Sequence, residues 1–188
     1  MTGRYEIRLA GAGGQGLILA GVILAEAVVI YDHKNACQTQ SYGAEARGGA
    51  SKSEVVIDTE EIDYPKVIAP DLLLALSQEA CDKYYADLKP DGILIADSVH
   101  VQSIPTSKAY SVPITQVAEE TTGRSITANI VGLGLLAGLT DIVSRKALEA
   151  AVADRAPQGT KKLNLKALAA GFKLAKDLQE AREGKAKR

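Results

Sequence analysis

The chain has 188 residues, of which 46% are apolar, and its 22 Lys and Arg nearly balance its 23 Asp and Glu, leaving a formal net charge of −1. This length fits a single domain, and the apolar content excludes a wholly disordered chain. A charge so close to zero gives no support to nucleic acid as a partner.

The apolar residues also indicate the type of core and the location. Trp is absent and Phe occurs once, so the core must be mainly Ala, Leu, Ile and Val, which suit helices packed on a parallel sheet. The N-terminus enters a strand pattern without a charged and apolar leader, and the apolar stretch 17–30 is interrupted by Glu26 and too short to cross a bilayer. We therefore expect a cytoplasmic protein without membrane contact.

The first third of the chain predicts strands around one long helix. Residues 5–10 form a first strand, and residues 17–31 form a helix that is apolar on almost every face and should be buried on more than one side. Residues 36–40 predict a short second strand, and the alternation in 51–58 predicts a third. Thr59 and Glu60 are expected to turn this third strand into a hairpin with residues 61–64.

The rest of the chain alternates strand and helix patterns. Predicted strands cover 71–76, 93–96 and 109–112, and predicted helices cover 78–88, a segment with Pro113 at its first position, 127–139, 144–154 with Ser144 as N-cap, and 165–182. No linker divides residues 1–188, and residues 184–188 are expected to be a frayed tail. The alternation predicts a single α/β domain with an open, mostly parallel, Rossmann-like sheet and helices on both faces.

A glycine turn joins the first strand to the first helix, with the sequence Gly11, Ala12, Gly13, Gly14, Gln15, Gly16. In a GxGxxG turn, Gly11 would permit the tight turn, Gly13 would let a phosphate approach the backbone, and Gly16 would let helix and strand pack closely. Free N–H groups at the start of the helix favour an anion. A strand-to-helix turn without a ligand is the alternative interpretation.

A dinucleotide such as NAD or FAD is disfavoured at this turn. Such a site requires an acidic residue at the end of the second strand to hold the ribose hydroxyls. Asp32 has about the right offset, but it lies where the helix ends and no convincing strand precedes it. We interpret Asp32 as a polar residue that terminates the helix.

A second Gly-rich segment combines hydroxyls, amides, one acid and one base between glycines, in the order Gln38, Thr39, Gln40, Ser41, Tyr42, Gly43, Ala44, Glu45, Ala46, Arg47, Gly48, Gly49. Arg47 presents a planar fork of donors that suits a phosphate or a carboxylate. The segment either contacts a ligand or connects two protein surfaces. The alternative is a structural loop whose Glu45 and Arg47 satisfy local groups.

The two Gly-rich segments together resemble the gamma subunit of 2-oxoacid:ferredoxin oxidoreductases. The resemblance rests on the GxGGQG turn followed about 30 residues later by Tyr-Gly-x-Glu-x-Arg-Gly-Gly, and it continues in the segments 61–65, 127–129 and 159–164. The second Gly-rich segment is most similar to the 2-oxoglutarate type of that family.

The resemblance implies a non-autonomous subunit of an enzyme complex. Such complexes decarboxylate a 2-oxoacid on thiamine diphosphate, transfer the acyl group to coenzyme A, and pass electrons through iron–sulfur clusters to ferredoxin. Thiamine diphosphate and the clusters are implied to belong to alpha, beta and delta partners. The chain agrees, since Cys37 and Cys81 are its only cysteines, whereas an ordinary cluster needs four thiolates.

Gamma subunits are implied to lie near the entrance for coenzyme A, and this suggests a shared coenzyme site without catalytic or metal-binding residues of its own. Our candidates are Gly11, Gly13, Gly14, Gln15, Gly16, Ser41, Tyr42, Gly43, Glu45, Arg47, Gly48 and Gly49. Two alternatives remain open. The segments serve only subunit contact, or the chain is a free-standing nucleotide- or coenzyme-binding protein without a redox role.

Five other polar residues have a less specific pattern. His33 and His100 lack partners at metal or triad spacing and are expected to be surface residues. Asp97 and Ser98 follow an apolar strand, where they either meet a ligand or cap the next turn. Asn129 opens an apolar helix, and capping is its favoured role over ligand contact.

Overall fold

The computed structural model describes residues 3–41 and 50–186, and in this part of the chain six strands form one sheet. The strands are β1 (Tyr5–Ala12), β2 (Asn35–Ser41), β3 (Ala50–Asp58), β4 (Leu72–Ala75), β5 (Ile93–Asp97) and β6 (Tyr110–Val112). Their order is β2-β3-β1-β4-β5-β6. Only β3 among them runs opposite to the others, so the prediction of an open, mostly parallel sheet is confirmed.

Helices cover both faces of this sheet, as predicted. They are α1 (Leu17–Glu26), which continues in the π-helical turn Ala27–Tyr31, α2 (Gln78–Tyr84), α3 (Ile114–Thr122), α4 (Ala128–Thr140), α5 (Arg145–Arg155) and α6 (Lys161–Ala186). The Ser144 hydroxyl accepts a hydrogen bond from the Ala147 N–H at 3.1 Å, which confirms the predicted N-cap of α5. α6 extends to Ala186, so residues 184–186 of the predicted tail belong to a helix. Residues 187 and 188 lie outside the described part, and fraying of this end stays a prediction.

The alternation of side chains along the strands divides the core between the two faces. Ile7 and Leu74 point to the larger core, which includes side chains of α1 and of α3 to α6. Leu73 and Ala75 point to the opposite face, where they pack against α2. Burial raises the pKa of the Cys81 thiol in this smaller core, with a lesser contribution from the Asp82 carboxylate. The thiol therefore stays protonated at neutral pH.

The face covered by α2 also buries charged side chains. The Arg8 guanidinium is ion-paired with Glu54 at 2.7 Å and with Asp87, and Lys52 contacts the same Glu54 carboxylate at 3.0 Å. The guanidinium also lies 5.1 Å from the centre of the Tyr84 ring. These partners allow Arg8 to be buried in β1, where an unpaired charge would strongly destabilise the fold.

The predicted hairpin at residues 59–64 is wrong. β3 pairs on both sides, with β1 and with β2, so no position remains beside it for another strand. The segment after β3 is instead a loop, and side chains of Arg4, just before β1, and of Glu6 in β1 hold it in place. Arg4 donates a hydrogen bond to the Tyr64 carbonyl at 2.7 Å, and Glu6 accepts one from the Ile68 N–H at 2.7 Å.

Glycines bring α4 and α6 into direct backbone contact. A Cβ atom placed on Gly171 would lie 2.1 Å from the Val131 carbonyl oxygen, and one placed on Gly134 would lie 2.3 Å from the Leu168 carbonyl oxygen. Neither distance is compatible with a side chain. The glycines of α4 and α6 therefore allow these two helices to pack closely.

Candidate functional site

The glycine turn lies at the carboxyl end of β1, at the switch point of the sheet. β1 and β4 are parallel neighbours, and the helices that follow them pack on opposite faces of the sheet. Open α/β sheets bind ligands in the crevice at such a switch point. The turn predicted from the GxGxxG pattern is therefore at the expected position for a site.

Gln15 bridges the carboxyl ends of β1 and β4. Its side-chain oxygen accepts a hydrogen bond from the Ala12 N–H at 2.7 Å, and its amide nitrogen donates one to the Leu76 carbonyl at 3.1 Å. A Cβ atom on Gly11 would lie 2.2 Å from that Gln15 oxygen. The role predicted for Gly11 is thus wrong, because Gly11 belongs to β1 and makes room for the Gln15 side chain and not for a tight turn.

Gly14 and Gly16 make the turn itself. Both have left-handed backbone angles, with φ values of 86° and 72°, which glycine adopts without strain. A Cβ atom on Gly16 would lie 2.5 Å from the Asn129 side-chain nitrogen, which donates a hydrogen bond to the Gly16 carbonyl at 2.9 Å. Gly16 therefore permits close approach of α4, which corrects the predicted packing of α1 on its own strand.

Asn129 connects the start of α4 to the glycine turn. It is almost fully buried, and its side-chain oxygen accepts a hydrogen bond from the adjacent Ile130 N–H at 2.8 Å. Both ends of the amide therefore have partners within the chain. Thr127 and not Asn129 is the N-cap of α4, so Asn129 does not cap the helix as predicted but satisfies an N–H of its first turn and holds the glycine turn.

Gly13 is an exposed position of the turn. No atom lies within 4 Å of a Cβ atom placed on Gly13, and no described residue accepts a hydrogen bond from its backbone N–H. The backbone at Gly13 is therefore open to a ligand from outside the described chain. The predicted approach of a phosphate at this residue stays a prediction.

The second Gly-rich segment leaves and re-enters the sheet beside the glycine turn. β3 begins at Ala50, which pairs with Ala12, and Ser51 pairs with Gly11. The Ser51 hydroxyl donates a hydrogen bond to the Gly11 carbonyl at 3.3 Å. β2 ends at Ser41, at the same end of the sheet. The glycine turn and the second Gly-rich segment therefore both lie at this end of the sheet.

α2 holds the start of β3 at this edge. Glu79 accepts a hydrogen bond from the Ala50 N–H at 3.2 Å, and the Tyr84 hydroxyl donates one to the Ala50 carbonyl at 3.3 Å. The segment 42–49 lies outside the described residues, and with it the candidates Tyr42, Gly43, Glu45, Arg47, Gly48 and Gly49. Their roles, and that of the Ser41 side chain, stay predictions.

Asp97 ends β5 and is fully buried. Its carboxylate accepts hydrogen bonds from the Thr115 hydroxyl at 2.5 Å and from the backbone N–H groups of Thr115 and Val99, both at 3.3 Å. These contacts satisfy N–H groups at the start of α3 and in the turn after β5. Asp97 therefore has the capping role that sequence analysis offered as the alternative to ligand contact.

A cavity of about 280 Å³ opens beside the glycine turn, and its lining residues are Gly13, Gly14, Gln15, His100, Thr115, Ser125, Ile126 and Ala128. This volume lies just below the ~300–1,000 Å³ typical of small-molecule sites, so the described residues by themselves enclose only part of a large ligand. His100 is exposed at the rim, as expected of a surface residue. Sequence analysis did not predict that His100 lines the same cavity as Gly13, although His100 comes shortly after the carboxyl end of β5.

Asp32 lies away from this edge and contacts α5. Its two carboxylate oxygens accept hydrogen bonds from the Ser144 backbone N–H and hydroxyl, both at 2.6 Å. The carboxylate thus ends the π-helical turn and anchors the N-terminus of α5. It is not placed to hold a ribose, in agreement with the interpretation from the sequence.

The described residues contain neither a metal-binding cluster nor a membrane-spanning helix. Within 3–41 and 50–186, no three His, Cys, Asp or Glu side chains are grouped closely enough to hold a metal ion. None of the helices in these two ranges is long and apolar enough to cross a membrane.

The fold and the site define an open α/β domain with a glycine turn and a second Gly-rich segment at one sheet edge. The chain belongs to the pyruvate ferredoxin/flavodoxin oxidoreductase family, which matches residues 6–174. The resemblance inferred from the two motifs is therefore confirmed.

Relatives of nearly the same length indicate which enzyme of this family the chain resembles. The chain is 53% identical to 2-oxoglutarate synthase subunit KorC of Methanocaldococcus jannaschii over 93% of this chain and 96% of that protein. The identity to the subunit of the same name from Methanothermobacter thermautotrophicus is 49%, over 91% of this chain and 95% of that one.

Solved structures agree with this assignment. The gamma subunit of keto/oxoacid ferredoxin oxidoreductase from Geobacter sulfurreducens matches with a TM-score of 0.85 and 53% identity over 93% of this chain and 97% of that one. The 2-oxoglutarate:ferredoxin oxidoreductase of Magnetococcus marinus, with 2-oxoglutarate, coenzyme A and succinyl-CoA bound, matches with a TM-score of 0.82 and 25% identity. This second match covers 94% of this chain but 32% of the longer one.

Proposed function

We propose that this chain is the gamma subunit of a 2-oxoglutarate:ferredoxin oxidoreductase. The observation that carries the proposal is identity of about one half, along nearly the whole length, with proteins named as subunits of 2-oxoglutarate synthase. The complex converts 2-oxoglutarate and coenzyme A into succinyl-CoA and carbon dioxide, and two electrons reduce ferredoxin.

The partners are the alpha, beta and delta subunits, with ferredoxin as the electron acceptor of the complex. Thiamine diphosphate and the iron–sulfur clusters belong to these partners and supply decarboxylation and electron transfer. The cytoplasmic location expected from the sequence is kept as part of this proposal.

A length comparison supports assembly with a catalytic chain. The chain from Magnetococcus marinus is about three times as long as the segment that matches this domain. In the KorC subunits the same domain makes up nearly the whole protein. Such a subunit has to contact the equivalent of that polypeptide through its surface, and we extend this inference to the present chain.

The role of this chain in the complex is to complete the site for the phosphates of coenzyme A. Gly13 presents an open backbone at the glycine turn, and the segment that contains Arg47 starts and ends at the same sheet edge. Backbone N–H groups and a guanidinium are the donors that phosphates prefer. The described residues at this end of the sheet enclose only part of such a ligand, which leaves room for the segment that contains Arg47 and for a partner subunit to complete the site.

A free-standing nucleotide-binding protein is the alternative, and the geometry of Gln15 argues against its usual form. In a dinucleotide-binding fold the pyrophosphate lies in the crevice between the strand ends and the helix start. Gln15 spans this crevice from Ala12 to Leu76. A pyrophosphate in that position would have to displace two hydrogen bonds of the Gln15 amide, and for this reason we place the phosphates of coenzyme A at the exposed backbone of Gly13 and not in this crevice.

Co-purification of the tagged chain from its native, anaerobically grown cells tests the assignment. We expect thiamine- and cluster-bearing subunits in the same complex, and ferredoxin reduction that requires both 2-oxoglutarate and coenzyme A. Activity with another 2-oxoacid in preference to 2-oxoglutarate would correct the substrate. Recovery of the chain alone from an active extract would refute the subunit assignment.

Arg47→Ala tests the coenzyme site in the purified complex. Loss of one charge-assisted hydrogen bond costs about 1.5–3 kcal/mol, so we expect the KM for coenzyme A to rise about tenfold or more. The KM for 2-oxoglutarate should not change. Arg145→Ala is the matched control, because Arg145 is an exposed arginine whose contacts, Glu149 and the Phe172 ring, belong to neither Gly-rich segment. An unchanged KM for coenzyme A would favour a role of the segment in subunit contact alone.

A further inference from the structure

His100 lies at the rim of the cavity beside the glycine turn, on the loop that follows β5. The cavity is lined by this side chain together with Gly13, Gly14 and Gln15 of the glycine turn. His100 was expected to be a surface residue, and it is indeed exposed. Within the residues that the structure describes, the imidazole has neither a hydrogen bond nor an ion pair. Its nitrogen atoms are therefore available to a molecule that enters the cavity.

The loop that carries His100 is held in position although it lies at the surface. We call residues 98–103 the His100 loop. The Asp97 carbonyl accepts hydrogen bonds from the His100 N–H at 3.1 Å and from the Val101 N–H at 2.8 Å. The Val101 side chain is almost fully buried and packs in the smaller core. These contacts fix the backbone at His100 itself.

Gln78, the first residue of α2, holds the end of the His100 loop. Its side-chain oxygen accepts hydrogen bonds from the Gln102 and Ser103 N–H groups, both at 2.9 Å. Its amide nitrogen donates one to the Ser103 carbonyl at 2.9 Å. One side chain therefore satisfies three backbone groups of the loop. A loop held in this way loses less conformational entropy when it binds a ligand, which favours binding.

The cavity is chemically suited to an anionic group. Among the described residues that line it there is no Asp or Glu, and His100 is the only one whose side chain can carry a positive charge. The nearby Asp97 carboxylate already accepts hydrogen bonds from Thr115 and from the Val99 backbone. An imidazole can donate an N–H to an anionic oxygen in either protonation state. The exposed backbone of Gly13 offers a second donor in the same cavity.

We propose that His100 is a binding residue of this cavity and donates a hydrogen bond to a phosphate of coenzyme A, and that Gln78 is the positioning residue that holds the His100 loop. The proposal rests on the proposed function, because it takes its ligand from there. It goes further because it assigns a ligand contact to a side chain that belongs to neither Gly-rich segment. The phosphate is then held from two sides, by Gly13 and by His100.

Steady-state kinetics of the purified complex test the contact, with the second histidine of the chain as the control. His100→Ala is expected to raise the KM for coenzyme A about tenfold or more, because one hydrogen bond to a charged group is lost. The KM for 2-oxoglutarate should not change. His33→Ala is the matched control, since His33 is the only other histidine. It is exposed and precedes β2, at the opposite end of the sheet, so both KM values should stay the same.

A double-mutant cycle tests whether Gln78 acts through His100. Gln78→Ala alone is expected to raise the KM for coenzyme A about threefold or more, with kcat at saturating coenzyme A retained. In the His100→Ala background the same change should raise this KM by less than about twofold, because the side chain that Gln78 positions is gone. Fully additive effects would overturn the positioning role of Gln78. Circular dichroism of each variant confirms that the fold is retained.

The kinetic assay separates the failure of this inference from the failure of the proposed coenzyme site. An unchanged KM for coenzyme A in His100→Ala refutes the contact. If Arg47→Ala raises this KM in the same assay, the proposed coenzyme site stands without His100. If His100→Ala raises it and Arg47→Ala does not, the contact at His100 stands and the proposed role of Arg47 is refuted.

NMR of the full chain decides about the contact if no complex with 2-oxoacid activity is recovered, a result that would refute the proposed function. The sequence contains 2 histidines, so the spectrum of the imidazole ring protons contains a signal for the site and an internal control. Titration with coenzyme A is expected to shift the ring signals of His100 and to leave those of His33 in place. A titration that shifts neither histidine, or both equally, overturns the contact.

Discussion

Gly171→Ala is expected to lower the free energy of unfolding by about 3 kcal/mol or more, above the usual range for an added methyl group. The new Cβ atom would lie 2.1 Å from the Val131 carbonyl oxygen and 2.8 Å from the Leu135 backbone nitrogen. Both atoms belong to the backbone of α4, so neither can rotate away. α6 must therefore move off α4, and the packing of the main core along both helices is loosened.

Urea unfolding followed by circular dichroism measures this loss, and Gly184→Ala is its control on the same helix. No atom lies within 4 Å of a Cβ atom placed on Gly184, so this substitution is expected to stabilise α6 by up to about 1 kcal/mol through helix propensity. The two variants make the same chemical change in opposite environments. A loss below about 1 kcal/mol for Gly171→Ala would contradict backbone contact between the helices.

Gly16→Ala is expected to destabilise the protein by about 2–3 kcal/mol through two effects. The φ value of 72° costs any other residue about 1–2 kcal/mol. The new Cβ atom would also lie 2.5 Å from the Asn129 side-chain nitrogen, which displaces the hydrogen bond that this nitrogen donates to the Gly16 carbonyl.

The neighbouring glycines separate these two effects. Gly14→Ala meets no atom but has a φ value of 86°, so it should cost about 1–2 kcal/mol from strain alone. Gly13→Ala meets no atom and lacks a positive φ value, so it should change stability by less than about 0.5 kcal/mol. Equal losses for all three variants in urea unfolding would contradict the contact between Gly16 and Asn129.

The same series bears on the coenzyme site. Because Gly13→Ala leaves the fold intact, a rise in the KM for coenzyme A in the assembled complex would come from the blocked approach to the backbone. A variant at Gly16 cannot distinguish binding from folding in this way. Gly13 is therefore the residue of the turn at which ligand binding can be tested separately from stability.

The sequence was sufficient to predict most of the elements and the class of fold. Alternating apolar residues in 51–58 and the apolar run 71–76 predicted strands, and Ser144 predicted the start of α5. These signals are local, since a period of two or of 3.6 residues and a capping side chain need no distant partner. The two Gly-rich motifs predicted the family for the same reason, because each motif is a short, continuous stretch of residues.

The tertiary structure decided which distant residues meet, and with them the roles of the site residues. Gly11 makes room for Gln15 and Gly16 for Asn129, and neither contact follows from the GxGxxG pattern. The hairpin after β3 was predicted from neighbours along the chain, whereas β3 in fact lies between β1 and β2. Strand pairing and helix packing depend on side chains far apart in sequence, and their contacts form only when the whole core is assembled.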